Sequence, residues 1–226
     1  MCETERASVA IVDYEAGNLF SVKHACTSVG LDPVVVNRPK DITKATALIL
    51  PGVGAFGNAM ETLRRLDLVQ SLKDFASSGR PFMGICLGMQ LLFTESEEFG
   101  WYEGLGMIEG TVKKFPASGE NGRKLKVPQI GWNQIFRPSG IETRWDGSPL
   151  SQVAHGEFMY FVHSYYASPF HIDDILSVTD YEGVSYCSSV VKDNIFATQF
   201  HPEKSAQEGI KIYQDWADMV KHKNYL

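Results

Sequence analysis

Gly84-Ile85-Cys86-Leu87-Gly88 places a cysteine between two glycines, inside the segment Pro81–Phe93. There an apolar run gives way to helical spacing, with Leu87, Leu91 and Leu92 on one face. This is the Gly-x-nucleophile-x-Gly arrangement of a nucleophile elbow, with sulfur in place of oxygen. A sharp strand-to-helix turn favours residues without a Cβ beside the nucleophile. It lifts the side chain out of the sheet edge to a helix N-terminus, where free N–H groups favour negative charge, and the thiolate is the nucleophilic form. Such a thiol needs a base, and the base needs an orienting group. Phe200-His201-Pro202-Glu203 offers both, straight after an apolar strand pattern at Ile195–Gln199. Pro202 stiffens the link, and a carboxylate two residues on can fix the imidazole tautomer and turn the other nitrogen to the sulfur. Taken singly, the first motif is a buried small thiol and the second a surface loop. Both stand at strand ends, and together they predict a triad of Cys86, His201 and Glu203.

A third motif, Gly52-Val53-Gly54-Ala55-Phe56-Gly57, matches the dinucleotide-binding fingerprint. It follows the third strand pattern, however, and the next strand ends in Gly84-Ile85-Cys86 where that fingerprint wants an acid. The better reading is an oxyanion hole, in which glycines let backbone N–H groups turn toward a developing negative oxygen. Leu87, the residue after the nucleophile, supplies a second N–H.

The elements that must position these groups read as an α/β chain. Strand patterns at Ala7–Asp13, Pro33–Val36, Ala47–Leu50 and Pro81–Ile85 alternate with helical ones at Leu19–Val29, Asp41–Ala45, Asn58–Leu66 and Val69–Ser77. That alternation predicts a mostly parallel sheet with helices on both faces. From about Gly106 the texture changes to short β-like runs: Gly106–Phe115, Leu125–Val127, Ile130–Phe136, Phe158–Val162, Ile175–Thr179, Ser185–Val191 and Ile195–Gln199. These predict an antiparallel or mixed extension of the sheet, with exposed loops at Ser118–Lys124 and Pro138–Pro149. Ala206–Val220 closes the chain as an amphipathic helix with Ile210, Tyr213, Ala217 and Val220 on one side. No repeat or linker divides the 226 residues, so one domain over 1–226 is expected, with residues 1–6 frayed.

Bulk properties exclude several classes. A net charge of −6, with no Lys/Arg run longer than two, argues against a nucleic-acid surface. Apolar runs fall far short of the roughly 18 residues a membrane helix needs. The polar start Met1–Arg6 predicts no signal peptide. Four dispersed cysteines without a Cys-x-x-Cys pair fit a reduced, cytoplasmic chain with no zinc site and no disulfide framework. Cys26 and Cys187 read as core thiols, and His24, His155, His171 and His222 as solvated.

Pro51-Gly52-Val53-Gly54, Gly84–Gln90 and Gln199–Ser205 resemble the class I (triad) glutamine amidotransferases. Asp13–Asn18, Val127–Asn133 and Tyr160–Tyr165 make the chain similar to the glutaminase branch serving imidazole glycerol phosphate synthesis. The match runs over nearly the whole chain. It implies a flavodoxin-like fold and no cofactor or metal. It further implies that Cys86 attacks the side-chain amide of L-glutamine, that His201 acts as base and then acid, and that Glu203 orients it. The Gly52-Val53 peptide and Leu87 would form the oxyanion hole, the former after a partner-induced reorientation in this family. Gly54, Gln90, Glu98, Ser164 and Tyr165 would hold glutamine, although Glu95-Ser96-Glu97-Glu98 offers three acids for one role. Trp132, Asn133, Phe158, Tyr160 and Lys204 would face the partner, a (β/α)8-barrel cyclase in a heterodimer. A partner also follows physically. The chain has no P-loop, metal cluster or second domain to use ammonia, which would be protonated and lost in bulk water. Two alternatives remain: a paralogous glutaminase feeding another synthase, for example in surface-polysaccharide sugar synthesis, and a non-catalytic module, against which the intact triad argues. Pyridoxal-phosphate-synthase glutaminases carry a Pro-Gly-Gly-Glu-Ser loop, from which Pro51-Gly52-Val53-Gly54 departs.

Overall fold

A computed structural model describes residues 8–222 apart from 120, 121, 123 and 141; the expected frayed start and Cys2 lie outside them. The first half alternates as β1 (Ser8–Val12), α1 (Leu19–Ser28), β2 (Asp32–Val36), α2 (Pro39–Ile42), β3 (Ala47–Gly52), α3 (Phe56–Arg65), α4 (Leu68–Ser77), β4 (Phe82–Cys86) and α5 (Leu87–Leu91). The second half is almost all strand. It runs β5 (Phe93–Ser96), β6 (Tyr102–Glu103), β7 (Ile108–Lys114), β8 (Gln129–Ile135), β9 (Glu157–His163), β10 (Tyr165–Pro169), β11 (Ile175–Tyr181), β12 (Val184–Lys192) and β13 (Ile195–Thr198), before α6 (Ala206–His222).

The described strands form one sheet in the order β2-β1-β3-β4-β13-β12-β10-β7-β5-β6, with β11 paired to β12, and a separate ribbon of β8 and β9. From β2 to β13 the pairing is parallel. It turns antiparallel at β12 and β10, as expected for the extension. The parallel strands are apolar on both faces, because helices cover both. Ala10, Leu48, Leu50 and Phe82 pack with Met60, Leu63, Leu72 and Phe75 of α3 and α4. The alternate residues Ile11, Ile49, Met83 and Phe196 pack with Val22, Cys26, Ile212, Tyr213 and Trp216 of α1 and α6.

One consequence of register positions the site. β4 lies between β3 and β13, with Gly52 opposite Cys86 and Thr198 opposite Ile85. The glycine loop, the cysteine turn and the His-Pro-Glu segment therefore leave the sheet side by side at the carboxyl ends of three adjacent parallel strands. In open α/β sheets that edge is where ligands bind.

Several expectations need correction. Leu125–Val127 is not a strand; it is irregular chain leading to a cis Val127–Pro128 bond, and pairing starts at Gln129. Pro138–Pro149 is not an exposed loop throughout. Trp145 is fully buried there, its indole Nε1 donating to the Leu176 carbonyl at 2.7 Å. The short helix expected at Asp41–Ala45 starts earlier, because Pro39 is preorganised for a first helical turn. The strands β5, β6 and β10 were not predicted; β5 and β6 are short and the β10 segment lacks a clean apolar alternation. No helix among the described residues is long and apolar enough to cross a membrane.

Candidate active site

At the β4–α5 junction the strain sits on the cysteine. Cys86 has φ 55° and ψ −110°, a backbone conformation that costs a β-carbon residue about 1–3 kcal/mol. The flanking glycines serve packing instead. A Cβ on Gly88 would stand 1.8 Å from the Leu50 carbonyl oxygen, and one on Gly84 would stand 3.0 Å from both Ala197 Cβ and Leu92 Cδ1. Gly88 thus lets α5 press directly on β3, which drives Cys86 up from the sheet edge. All five residues of α5 are buried, so the helix has no solvent face to go with the apolar stripe read from Leu87 and Leu91.

His201 Nδ1 lies 2.8 Å from Glu203 Oε1, and both side chains are almost wholly buried. The carboxylate accepts from Nδ1–H, which fixes the tautomer and leaves Nε2 for another partner. Among the described residues Nε2 has no hydrogen-bond partner of ordinary geometry, and the Cys86 side chain is its neighbour. Burial alone would lower the His201 pKa. The negative charge and hydrogen bonding of Cys86, then those of Glu203, outweigh it and push the imidazole up to about 10. The His201 imidazole is therefore held in its charged form at neutral pH, beside the Cys86 sulfur. The Cys86 thiol itself points toward the Val162 carbonyl of β9, 3.8 Å away. Cys26 and Cys187 are different: both are buried and free, and burial pushes the Cys26 thiol up to about 12 and the Cys187 thiol well above its ordinary value.

Cys86 opens on a cleft of about 290 Å³ lined by Val53, Gly54, Leu87, Gln90, Glu98, Pro128, Val162, His163, Ser164 and Tyr165. The five residues expected to hold a substrate are all in this wall. Gly54 has φ +108°, a conformation open to glycine, with free space where a Cβ would be. Val53 is 42% exposed at the mouth, and Gly52 lies behind it, packed so closely that a Cβ would strike Tyr14 Oη. That hydroxyl donates to the Pro51 carbonyl at 2.7 Å, holding the base of the loop.

The structure separates the three acids. Glu95 accepts from Thr111 Oγ1, and Glu97 accepts from the Lys114 backbone N–H. Only Glu98 reaches the cleft. Its Oε2 accepts from the Phe56 N–H, at the start of α3, at 2.6 Å. Partial burial raises its pKa against that hydrogen bond.

The five residues expected at a partner face divide. Trp132, Phe158 and Tyr160 share one face of the β8–β9 ribbon, with the Trp132 and Tyr160 ring centroids 6.1 Å apart and Lys204 Nζ 5.9 Å from the Tyr160 ring. Trp132 is 53% and Phe158 49% exposed. Asn133 points to the opposite face, where its Nδ2 donates to the Asp180 carbonyl at 2.8 Å. Strand alternation puts it there, opposite buried Met159. The ribbon is tied to the histidine: the His201 N–H donates to the Tyr160 carbonyl, and Ser205 Oγ bridges the Tyr160 N–H and the His201 carbonyl.

Two buried polar residues at the site had not been singled out from sequence. Gln199 lies 3.7 Å from the Cys86 sulfur through Nε2. His163 lines the cleft; burial lowers its pKa to about 4, keeping it neutral, with Nδ1 donating to the Tyr165 carbonyl at 2.8 Å. Alternation along Met159, Phe161, His163 and Tyr165, all buried, was the signal that could have found His163.

A strained cysteine elbow beside a buried histidine–carboxylate pair, at the carboxyl edge of a parallel sheet, is the arrangement that cysteine-dependent acyl transfer calls for. The chain belongs to the class-I glutamine amidotransferase family, whose profile matches residues 10–218. It is 46% identical over 212 residues to imidazole glycerol phosphate synthase subunit HisH of Geobacter metallireducens, covering 93% of this chain and 98% of that one. HisH of Syntrophotalea carbinolica is 46% identical over 214 residues (93% and 100%), and HisH of Sulfurimonas denitrificans 45% identical over 217 residues (96% and 99%). The fold is shared with PurLQS from Thermotoga maritima at a TM-score of 0.68 and 17% identity, over 95% of this chain and 99% of that one.

Proposed function

We propose that this protein is the glutaminase subunit of an imidazole glycerol phosphate synthase. The observation that carries the reading is the strained Cys86 beside the buried His201–Glu203 pair, opening on a cleft with a single carboxylate, Glu98. Glutamine lies in the cleft with its α-ammonium toward Glu98 and its main-chain groups against Gly54, Gln90, Ser164 and Tyr165. The Cys86 thiolate attacks the side-chain carbonyl carbon. The oxyanion is met by backbone N–H groups of Leu87 and the Gly52-Val53 peptide. His201 passes its Nε2 proton to the departing nitrogen, the C–N bond breaks, and ammonia leaves a glutamyl thioester. Neutral His201 then takes a proton from water, which attacks the thioester and releases glutamate and the thiolate. Glu203 keeps the ring in one tautomer throughout.

The ammonia is consumed on a partner protein. Its user is a (β/α)8-barrel cyclase docked over the exposed Trp132, Phe158 and Lys204 face, which converts a phosphoribulosyl-aminoimidazole intermediate to imidazole glycerol phosphate and an aminoimidazole carboxamide ribotide in histidine biosynthesis. Supporting this are the HisH relatives, named as subunits of that synthase and matched over 93% of this chain. The test is glutamate release from glutamine by the pure chain, with and without a cyclase barrel and its ribulosyl ligand. Strong stimulation that Cys86→Ala abolishes is the expected result. Cys86-dependent turnover indifferent to the barrel would redirect the ammonia to another synthase.

A further inference from the structure

The cleft wall hides one amide that packing alone does not explain. Gln199 follows β13 directly, is wholly buried, and has its backbone N–H fixed to the Ser188 carbonyl at 2.9 Å. Burying a primary amide is unfavourable unless both of its ends are bonded, and a methionine would fill similar space without that demand. Here both ends are engaged. Gln199 Oε1 lies 2.9 Å from Gln90 Nε2, and Gln199 Nε2 lies 3.7 Å from Cys86 Sγ.

The direction of this chain of amides is forced. The Tyr165 carbonyl can only accept, and the Gln90 amide lies 2.8 Å from it, so Gln90 must present its NH2 group there. The second hydrogen of that NH2 meets Gln199, which must answer with its oxygen. Turning the Gln199 amide over would set NH2 against NH2 and a carbonyl oxygen against sulfur. The Gln199 NH2 group therefore faces Cys86. A donor in that place stabilises a thiolate more than a thiol.

From this geometry we propose that Gln199 is a further catalytic residue, whose side-chain N–H holds the Cys86 thiolate, with Gln90 on the Tyr165 carbonyl setting the direction of that donor. The inference rests on Cys86 being the glutaminase nucleophile. The donor acts twice in a cycle. It stabilises the resting thiolate before attack. It meets the sulfur again when water cleaves the thioester and the C–S electron pair returns to sulfur. His163 braces the same carbonyl from its other side through Nδ1, at 2.8 Å.

The test uses the full chain with and without a cyclase barrel. Gln199→Met keeps the volume and removes the N–H; Gln199→Glu keeps the shape and replaces the donor with an acceptor. The rate of Cys86 alkylation by iodoacetamide is followed against pH, with the site confirmed by peptide mass. At pH 7 the Met variant is expected to react about tenfold more slowly than the natural chain, and the Glu variant more slowly still. The curves converge at alkaline pH, where the thiol is ionised in every variant; a merely structural role would not produce that convergence. Barrel-stimulated glutamate release falls by a similar factor, in kcat more than in KM. Superimposed alkylation curves in a variant with natural circular dichroism overturn the proposal. Should Gln199→Met fail to fold, Gln199→Asn, whose amide is one methylene too short for the sulfur, is read by the same two outcomes. The two readings separate cleanly. If Cys86→Ala leaves glutamate release intact, the glutaminase reading falls and takes this inference with it. If only the Gln199 curves coincide with the natural one, glutaminase chemistry stands and this inference falls.

Discussion

The parallel half of the sheet, which carries Cys86, and the antiparallel half, which begins at the β13–β12 pair, hold their functional groups in different ways. In the parallel half, β3, β4 and β13 are sealed on both faces by apolar side chains, and Cys86 is forced into place by backbone contact with no slack at Gly88. In the antiparallel half and its ribbon, polar side chains do the fixing. His163, Tyr186 and Gln129 form a buried string in which His163 Nε2 lies 3.3 Å from the Tyr186 hydroxyl, itself 3.0 Å from Gln129 Oε1. On the outside of that ribbon, aromatic rings lie open to solvent. Cys86 is thus set by sterics, which admit one arrangement, and the cleft wall by hydrogen bonds, which can be rearranged. The proposed function, a reactive thiol that answers to a partner, has use for both.

The sharpest way to break this contrast is at the nucleophile. Cys86→Ala should lower glutamate release by at least about 10⁴-fold, as loss of a triad nucleophile does. It should also lower the pH at which His201 titrates in an NMR experiment, because the Cys86 charge is the leading cause that holds it near 10. Titration still near 10 in that variant would mean that Glu203 alone holds the proton.

Steric control is tested next. Gly88→Ala should cost more than about 3 kcal/mol in chemical denaturation, an overpacking that neither β3 nor α5 can relieve. A loss below about 1 kcal/mol would show that the elbow has slack after all.

The hydrogen-bonded wall makes a pH prediction. His163 has a folded pKa of about 4, below the ordinary 6.5, so the folded chain binds fewer protons between those values. Its contribution is intact above pH 6.5 and is lost as the pH falls toward 4, by about 3 kcal/mol. His163→Gln should flatten the stability profile over that window. An unchanged slope would place the acid sensitivity in the carboxylates. For His201 the sign is opposite: stability present below 6.5 is lost as the pH rises through about 10.

The smallest effect belongs to the open face. Trp132→Ala should change the stability of the free chain by no more than about 0.5 kcal/mol, since the ring is half exposed. It should blunt stimulation of glutamate release by the barrel while leaving unstimulated turnover unchanged. Full stimulation in that variant would move the docking face elsewhere.

Much of the parallel half could be read directly, because its signals are local. Buried strands are short apolar runs, Gly84-Ile85-Cys86-Leu87-Gly88 marks a turn, and His201-Pro202-Glu203 carries its own orienting acid two residues on. The antiparallel half was read less well. Tyr165–Pro169 lacks a clean alternation, Leu125–Val127 looked like a strand without pairing as one, and Trp145 hid in a stretch whose neighbours are polar. Composition and spacing therefore determined the alternating α/β class and picked out Cys86, His201 and Glu203 as the residues of the proposed triad, since each is a short-range pattern of residue types. Only the tertiary structure decided which of Glu95, Glu97 and Glu98 reaches the cleft, that Asn133 turns away from Trp132, and that the Gln199 amide donates to the sulfur. Those outcomes depend on strand register and on which partner saturates each hydrogen-bonding group, and the residues concerned are tens of positions apart in the chain.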